Sequence, residues 1–163
     1  MKTRIALIAI VTLAVGLTGL TGLTGLALAG PSVEDQIKAR QSAYTFMGWN
    51  MSQIRAQVID QDVEFNADQV RAWANAIAAT ANSGMSAMYS PASVEGTGWK
   101  PTRLKPEFFD ELDKVGEIAG NFIREATALA EVAEGGDPDA IAAQFRQTAD
   151  SCGACHRPFR ASE

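Results

Sequence analysis

The sequence predicts an all-α fold, an antiparallel four-helix bundle, and three observations predict it. From Ser32 to Phe159 the apolar residues recur at spacings of three and four in four separate segments. The segments begin on helix-start chemistry and end on turn or breaker residues. After residue 30 no convincing alternation of apolar and polar residues marks a strand. The links between segments are short except one, which makes neighbouring helices antiparallel.

The first segment opens at Ser32, an N-cap followed by Glu34 and Asp35, acids placed to oppose the helix dipole. Its stripe includes Val33, Ile37, Tyr44, Met47, Ile54 and Val58, and it stops near Asp60–Asp62. The second opens at Asn66, with Gln69 three residues on in a capping-box pattern. Val70, Trp73, Ala74, Ile77, Ala81 and Met85 carry its inward face in an Ala-rich, helix-favouring sequence. A long stretch punctuated by Pro91, Gly96, Gly98, Pro101 and Pro106 follows, and a loop of that length is expected to wrap something.

The third segment is expected to start at Pro106 and to run through Phe108, Phe109, Leu112, Val115, Ala119 and Phe122. It continues by Ala126 and Leu129 to Ala133, and Gly135-Gly136 ends it. The fourth is capped by Asp137, with Pro138 in its first turn. Its buried face reads Ile141, Phe145, Ala149, Cys152, Cys155, His156 and Phe159; Pro158 removes a backbone donor near its end.

That fourth segment holds both cysteines and the only histidine, as Cys152-Gly153-Ala154-Cys155-His156. On a helix, positions i, i+3 and i+4 share a face, so two thiols and one imidazole point the same way. C-x-x-C-H at that spacing reads as covalent attachment of a c-type haem, with the imidazole as iron ligand. A redox disulfide needs no adjacent histidine, and a structural zinc site wants four ligands where three exist. Arg40 and Gln41 lie between Ile37 and Tyr44 on the inward face of the first segment. A buried guanidinium needs an anion, which haem propionates would supply; the alternative is that Arg40 snorkels to solvent or pairs with Glu34 or Asp35.

Lys2 and Arg4, then an apolar or small run from Ile5 to Leu28, then Ala27-Leu28-Ala29, read as a secretory signal peptide over residues 1–29. The run is long enough to span a bilayer if left uncleaved, so an anchor is the competing reading. Residues 30–163 then form one domain. Loss of Lys2 and Arg4 takes the basic count from 14 to 12 against 19 acids, a net charge of −7. Basic residues are scattered singly, which excludes a nucleic-acid surface.

These residues resemble cytochrome c′ of purple bacteria, the four-helix class of c-type cytochromes, over the whole mature chain. The resemblance rests on C-x-x-C-H-x-x-aromatic-Arg from Cys152 to Arg160, on Arg40-Gln41 with Tyr44, and on Lys105-Pro106-Glu107-Phe108-Phe109 with Phe122. It implies one covalently bound haem c per chain on Cys152 and Cys155, with His156 as the proximal ligand. It also implies propionate contacts for Arg40 and Gln41, Tyr44 over the sixth position of the iron, and Met47 as pocket wall. Phe122 and Arg160 complete the cofactor-contacting positions. Family members usually have five-coordinate iron, bind nitric oxide and carbon monoxide, and pair through their first two helices.

The resulting expectation is a periplasmic gas-binding haem protein with an unidentified redox partner and no enzymatic activity, since the only histidine is committed. A six-coordinate electron carrier using Met47 or Met51 is the alternative. Phe46 and Trp49 lie off the inward stripe and fit a homodimer contact, unless they pack under the long loop at 84–105.

Overall fold

The computed structural model describes residues 30–162. The signal-peptide reading of residues 1–29 lies outside the described residues. Four long helices form the bundle: α1 (Val33–Val58), α2 (Ala67–Ala81), α4 (Leu112–Glu134) and α5 (Pro138–Phe159), with a single turn, α3 (Glu107–Asp110), ahead of α4. α1 and α4 each pack against both α2 and α5, which closes a ring of four. Among the described residues, extended pairing is limited to two isolated bridges, Thr97 with Pro101 and Leu104 with Arg160.

Caps set the helix starts. Ser32 Oγ accepts from Asp35 N at 3.1 Å, and Asn66 Oδ1 accepts from Gln69 N at 3.0 Å. The reciprocal half of the capping box at α2 is made from another helix. Gln57 Oε1 of α1 accepts from Asn66 N at 2.8 Å, and Gln57 Nε2 donates to Gln69 Oε1 at 3.1 Å. This exchange satisfies a buried glutamine and fixes the angle at which α2 leaves α1.

Two expected boundaries are corrected. α2 ends at Ala81, because Gly84 in the left-handed region (φ +77°) turns the chain; Met85 lies beyond, buried in a 3-10 turn, Met85–Met88. The third segment is broken at Glu111 (φ −121°, ψ 44°), so Phe108 and Phe109 belong to α3 and not to the long helix. The break frees Phe108 to turn inward. It stacks on Tyr89 at 4.8 Å and meets Phe159 edge-on at 5.7 Å. Pro158 is accommodated: α5 continues to Phe159, and Arg160 N closes its last turn on the His156 carbonyl at 3.1 Å.

The apolar core occupies one end of the bundle, with Ile54, Val70, Ile77, Leu129, Ile141 and Phe145 at its centre. At the other end the same helical stripes do not close. Leu112 is 57 % exposed, and Ala119, Ala149 and His156 of the expected inward faces are exposed too.

Candidate haem-attachment site

α5 carries the two thiols and the imidazole on successive turns at the open end. Both cysteines are free and half-buried, so the disulfide alternative is not formed. Burial pushes the thiol pKa of Cys152 and of Cys155 up. Partial desolvation of the ring, and then the charges of Arg160 and Arg103, hold His156 below its ordinary value. At neutral pH the ring is therefore the neutral imidazole that a metal requires. Among the described residues no group of three or more His, Cys, Asp or Glu side chains gathers as a metal-ion site.

Across from α5, α1 presents Arg40, Tyr44 and Met47 at helical spacing. Tyr44 is 40 % exposed, and its hydroxyl lies 2.8 Å from that of Tyr89. Burial raises its pKa and the hydrogen bond to Tyr89 lowers it. Negative charge on Cys155 or Cys152 also raises it. Met47 is buried. Phe122 of α4 is half-buried at the edge of the core, as is Met51. Arg160 caps α5, exposed, its neighbourhood tied down by the bridge to Leu104.

Arg40 does not snorkel, and its partners are neither Glu34 nor Asp35. Only 6 % exposed, it donates from Nη1 to Met88 O (3.1 Å) and Ser93 Oγ (3.0 Å), and from Nη2 to Ser93 O (3.2 Å) and Thr102 Oγ1 (2.9 Å). Glu34 pairs with Lys38 instead. Gln41 serves the same loop: its Oε1 accepts from Trp99 N (2.8 Å) and Lys100 N (3.2 Å), and its Nε2 donates to Lys100 O (2.8 Å). The loop lies so close to α1 that a Cβ on Gly98 would sit 2.8 Å from Lys38 N. The expected Arg-Gln pair thus straps residues 88–102 onto α1, a role that periodicity does not reveal.

Tyr89, Ser93 and Thr102 belong to the site and were not singled out from sequence, because the loop has no periodic pattern to assign a face. One signal was available. Tyr44 and Tyr89 are the only two tyrosines in the chain, and a buried phenol needs a partner.

The residues present fit a covalently held haem. Two free thiols and an imidazole stand within five residues of α5, at the end of the bundle where Leu112 and Ala119 of α4 stay uncovered.

Comparison with known proteins agrees. Residues 35–160 match the family described as Cytochrome C′. The chain is 47 % identical over 133 residues to cytochrome c′ of Allochromatium vinosum, covering 82 % of this chain and 84 % of that one. A solved cytochrome c′ described as having ligand-controlled dimer dissociation superposes with a TM-score of 0.77 at 47 % identity, covering 82 % of this chain and 100 % of the other. Variants of cytochrome c prime from Alcaligenes xylosoxidans, one in a nitric oxide complex and one with carbon monoxide bound, each give a TM-score of 0.70 at 25 % identity. Each covers 80 % of this chain and 98 % of its own. The chain belongs to the cytochrome c′ family, and covalently attached haem c is its cofactor.

Proposed function

We propose that the chain is an exported haem protein that binds small neutral gases, nitric oxide and carbon monoxide, at a five-coordinate iron, with electron transfer as a second capacity. The observation that carries this reading is Tyr44: a phenol hydrogen-bonded to Tyr89, on the helix that packs against α5. Cys152 and Cys155 would hold the porphyrin through thioethers, and His156 would ligate the iron, which supplies the gas-binding and redox chemistry. Tyrosine binds iron well only as phenolate. Its ordinary pKa is about 10, and burial raises that of Tyr44. At neutral pH Tyr44 is a steric lid that small gases displace by moving one side chain, while anions and bulky ligands stay out.

Arg40 and Gln41 keep the strap in place and would face the propionates, with Arg160 at the end of α5 and with Met47 and Phe122 as wall. Met51 packs at the edge of the apolar core, and Met47 sits a turn beyond Tyr44, so neither stands in the lid's place. The complexes solved for the Alcaligenes xylosoxidans relative support the choice of gases. The experiment is a ferric and ferrous absorption spectrum with carbon monoxide titration. High-spin spectra, and faster carbon monoxide association in Tyr44→Ala, are expected. A low-spin ferrous wild type that Met47→Leu converts to high spin would replace this reading with the six-coordinate carrier.

The chain would act in the periplasm as a homodimer. Residues 1–29 carry the export signal, and among the described residues no helix is long and apolar enough to cross a membrane. Phe46 and Trp49 are 51 % and 53 % exposed, and Trp49 meets Trp73 of α2 edge-on at 6.1 Å. Together they form an aromatic face across α1 and α2 suited to a second copy. Sedimentation at micromolar concentration should give a dimer for the wild type and a monomer for Trp49→Lys.

A further inference from the structure

We infer that Tyr89 is a positioning residue for gas entry. Its hydroxyl latches the Tyr44 ring over the site and so sets the rate at which a gas displaces that ring. The inference rests on Tyr44 being the lid. The two hydroxyls are 2.8 Å apart, a normal distance for an O–H···O bond. Both phenols are held above their ordinary pKa and are neutral at neutral pH, so each can donate or accept.

The two rings are not equally free. Tyr89 is clamped: the Arg40 guanidinium lies 4.7 Å from its centroid, and the Phe108 ring stacks at 4.8 Å and 8°. Both neighbours pack on the ring itself and hold its plane. The clamp is itself anchored. Arg40 also donates to the Met88 carbonyl, one residue before Tyr89, and to Ser93 and Thr102 beyond it. Phe108 rests against Phe159, whose carbonyl accepts from Lys105 N at 2.9 Å, three residues after His156. Tyr44 has no comparable clamp and stands 40 % exposed on α1. Moving the lid therefore means Tyr44 leaving Tyr89, with the hydroxyl bond as the contact that must break.

The test uses stopped-flow carbon monoxide association with the ferrous holoprotein. Removing one hydroxyl in Tyr89→Phe keeps the stacked ring and should accelerate association about three- to ten-fold, the range one neutral hydrogen bond supports. The unliganded spectrum should not change, and the thermal midpoint should fall by only the few degrees that one lost bond costs. Tyr44→Phe should accelerate it equally, and the double variant should gain nothing further, because both changes remove one bond. If Tyr44→Ala is faster but Tyr89→Phe matches the wild type, or the two Phe changes simply multiply, the latch is wrong and the lid stands. If Tyr44→Ala itself leaves the rate unchanged, the lid falls, and the latch with it.

Discussion

The two ends of this bundle are built from the same helices by different means. At one end Ile54 and Val58 of α1 meet Val70 and Ile77 of α2, Leu129 of α4 and Ile141 of α5, and aliphatic side chains fill the space between. At the other end α1 meets a strap: Arg40 and Gln41 grip backbone and hydroxyl oxygens of residues 88–102, while Leu112 and Ala119 of α4 stay uncovered. One end is closed by side-chain volume. The other is closed on one side by hydrogen bonds and leaves apolar surface for the cofactor. A helical stripe therefore states that a face is covered in the working protein and not what covers it.

The largest effect that would test this contrast is loss of the cofactor. Cys152→Ala with Cys155→Ala should abolish haem staining on denaturing gels. Amide exchange should then rise across residues 85–105 and 112–122, while residues 126–133 at the filled end keep their protection. Equal gains at both ends would erase the distinction.

Next in size is a cut into the filled end. Leu129 is fully buried, and Leu129→Ala should cost about 2–5 kcal/mol in urea unfolding. It should leave carbon monoxide association unchanged, because Leu129 touches neither lid nor strap. Tyr44→Ala should do the reverse, altering the rate with little change in stability. A Leu129→Ala protein with a wild-type midpoint would count against the filled core as the source of stability.

The strap comes third. Arg40→Met removes the donor to Met88 O. It leaves Ser93 O, Ser93 Oγ and Thr102 Oγ1 only their donors from within the loop, Thr102 Oγ1, Ser90 N and Leu104 N. The change should cost about 1–3 kcal/mol. The measured signature is site-specific proteolysis: cleavage within residues 85–105 should appear at protease levels that leave the wild type intact. An intact loop in Arg40→Met would mean that Gln41 and the Gly98 contact suffice.

Sequence reading succeeded where local chemistry decides. The caps at Ser32, Asn66 and Asp137 start helices, and Cys152 to His156 lie within α5 as the periodicity predicts. It failed where a distant segment decides. Nothing local to Glu111 announces a break, because the break serves the stack of Phe108 between Tyr89 and Phe159. Burial of Arg40 was legible from its place in the stripe. Its partners were not, since Ser93 and Thr102 come from a loop 53 and 62 residues away in the chain.

The smallest predicted effect is an alkaline one, and it probes the seam between strap and open end. Burial is the chief reason that both phenols are held above their ordinary pKa, Tyr89 most strongly. The positive charge of Arg40 works against this for both, but burial outweighs it. A raised pKa means that the fold favours the neutral phenol. The pair therefore leaves stability unchanged below pH about 10, where both states are protonated. Above that, the unfolded chain ionises first, and stability should fall as pH climbs toward the folded values. The chain has only two tyrosines, so tyrosinate absorbance reports this pair alone. Difference spectra at about pH 10 should show less phenolate in the native protein than in concentrated urea, where about half is ionised. Native and urea-unfolded protein ionising alike at that pH would mean that the seam between α1 and the strap is open.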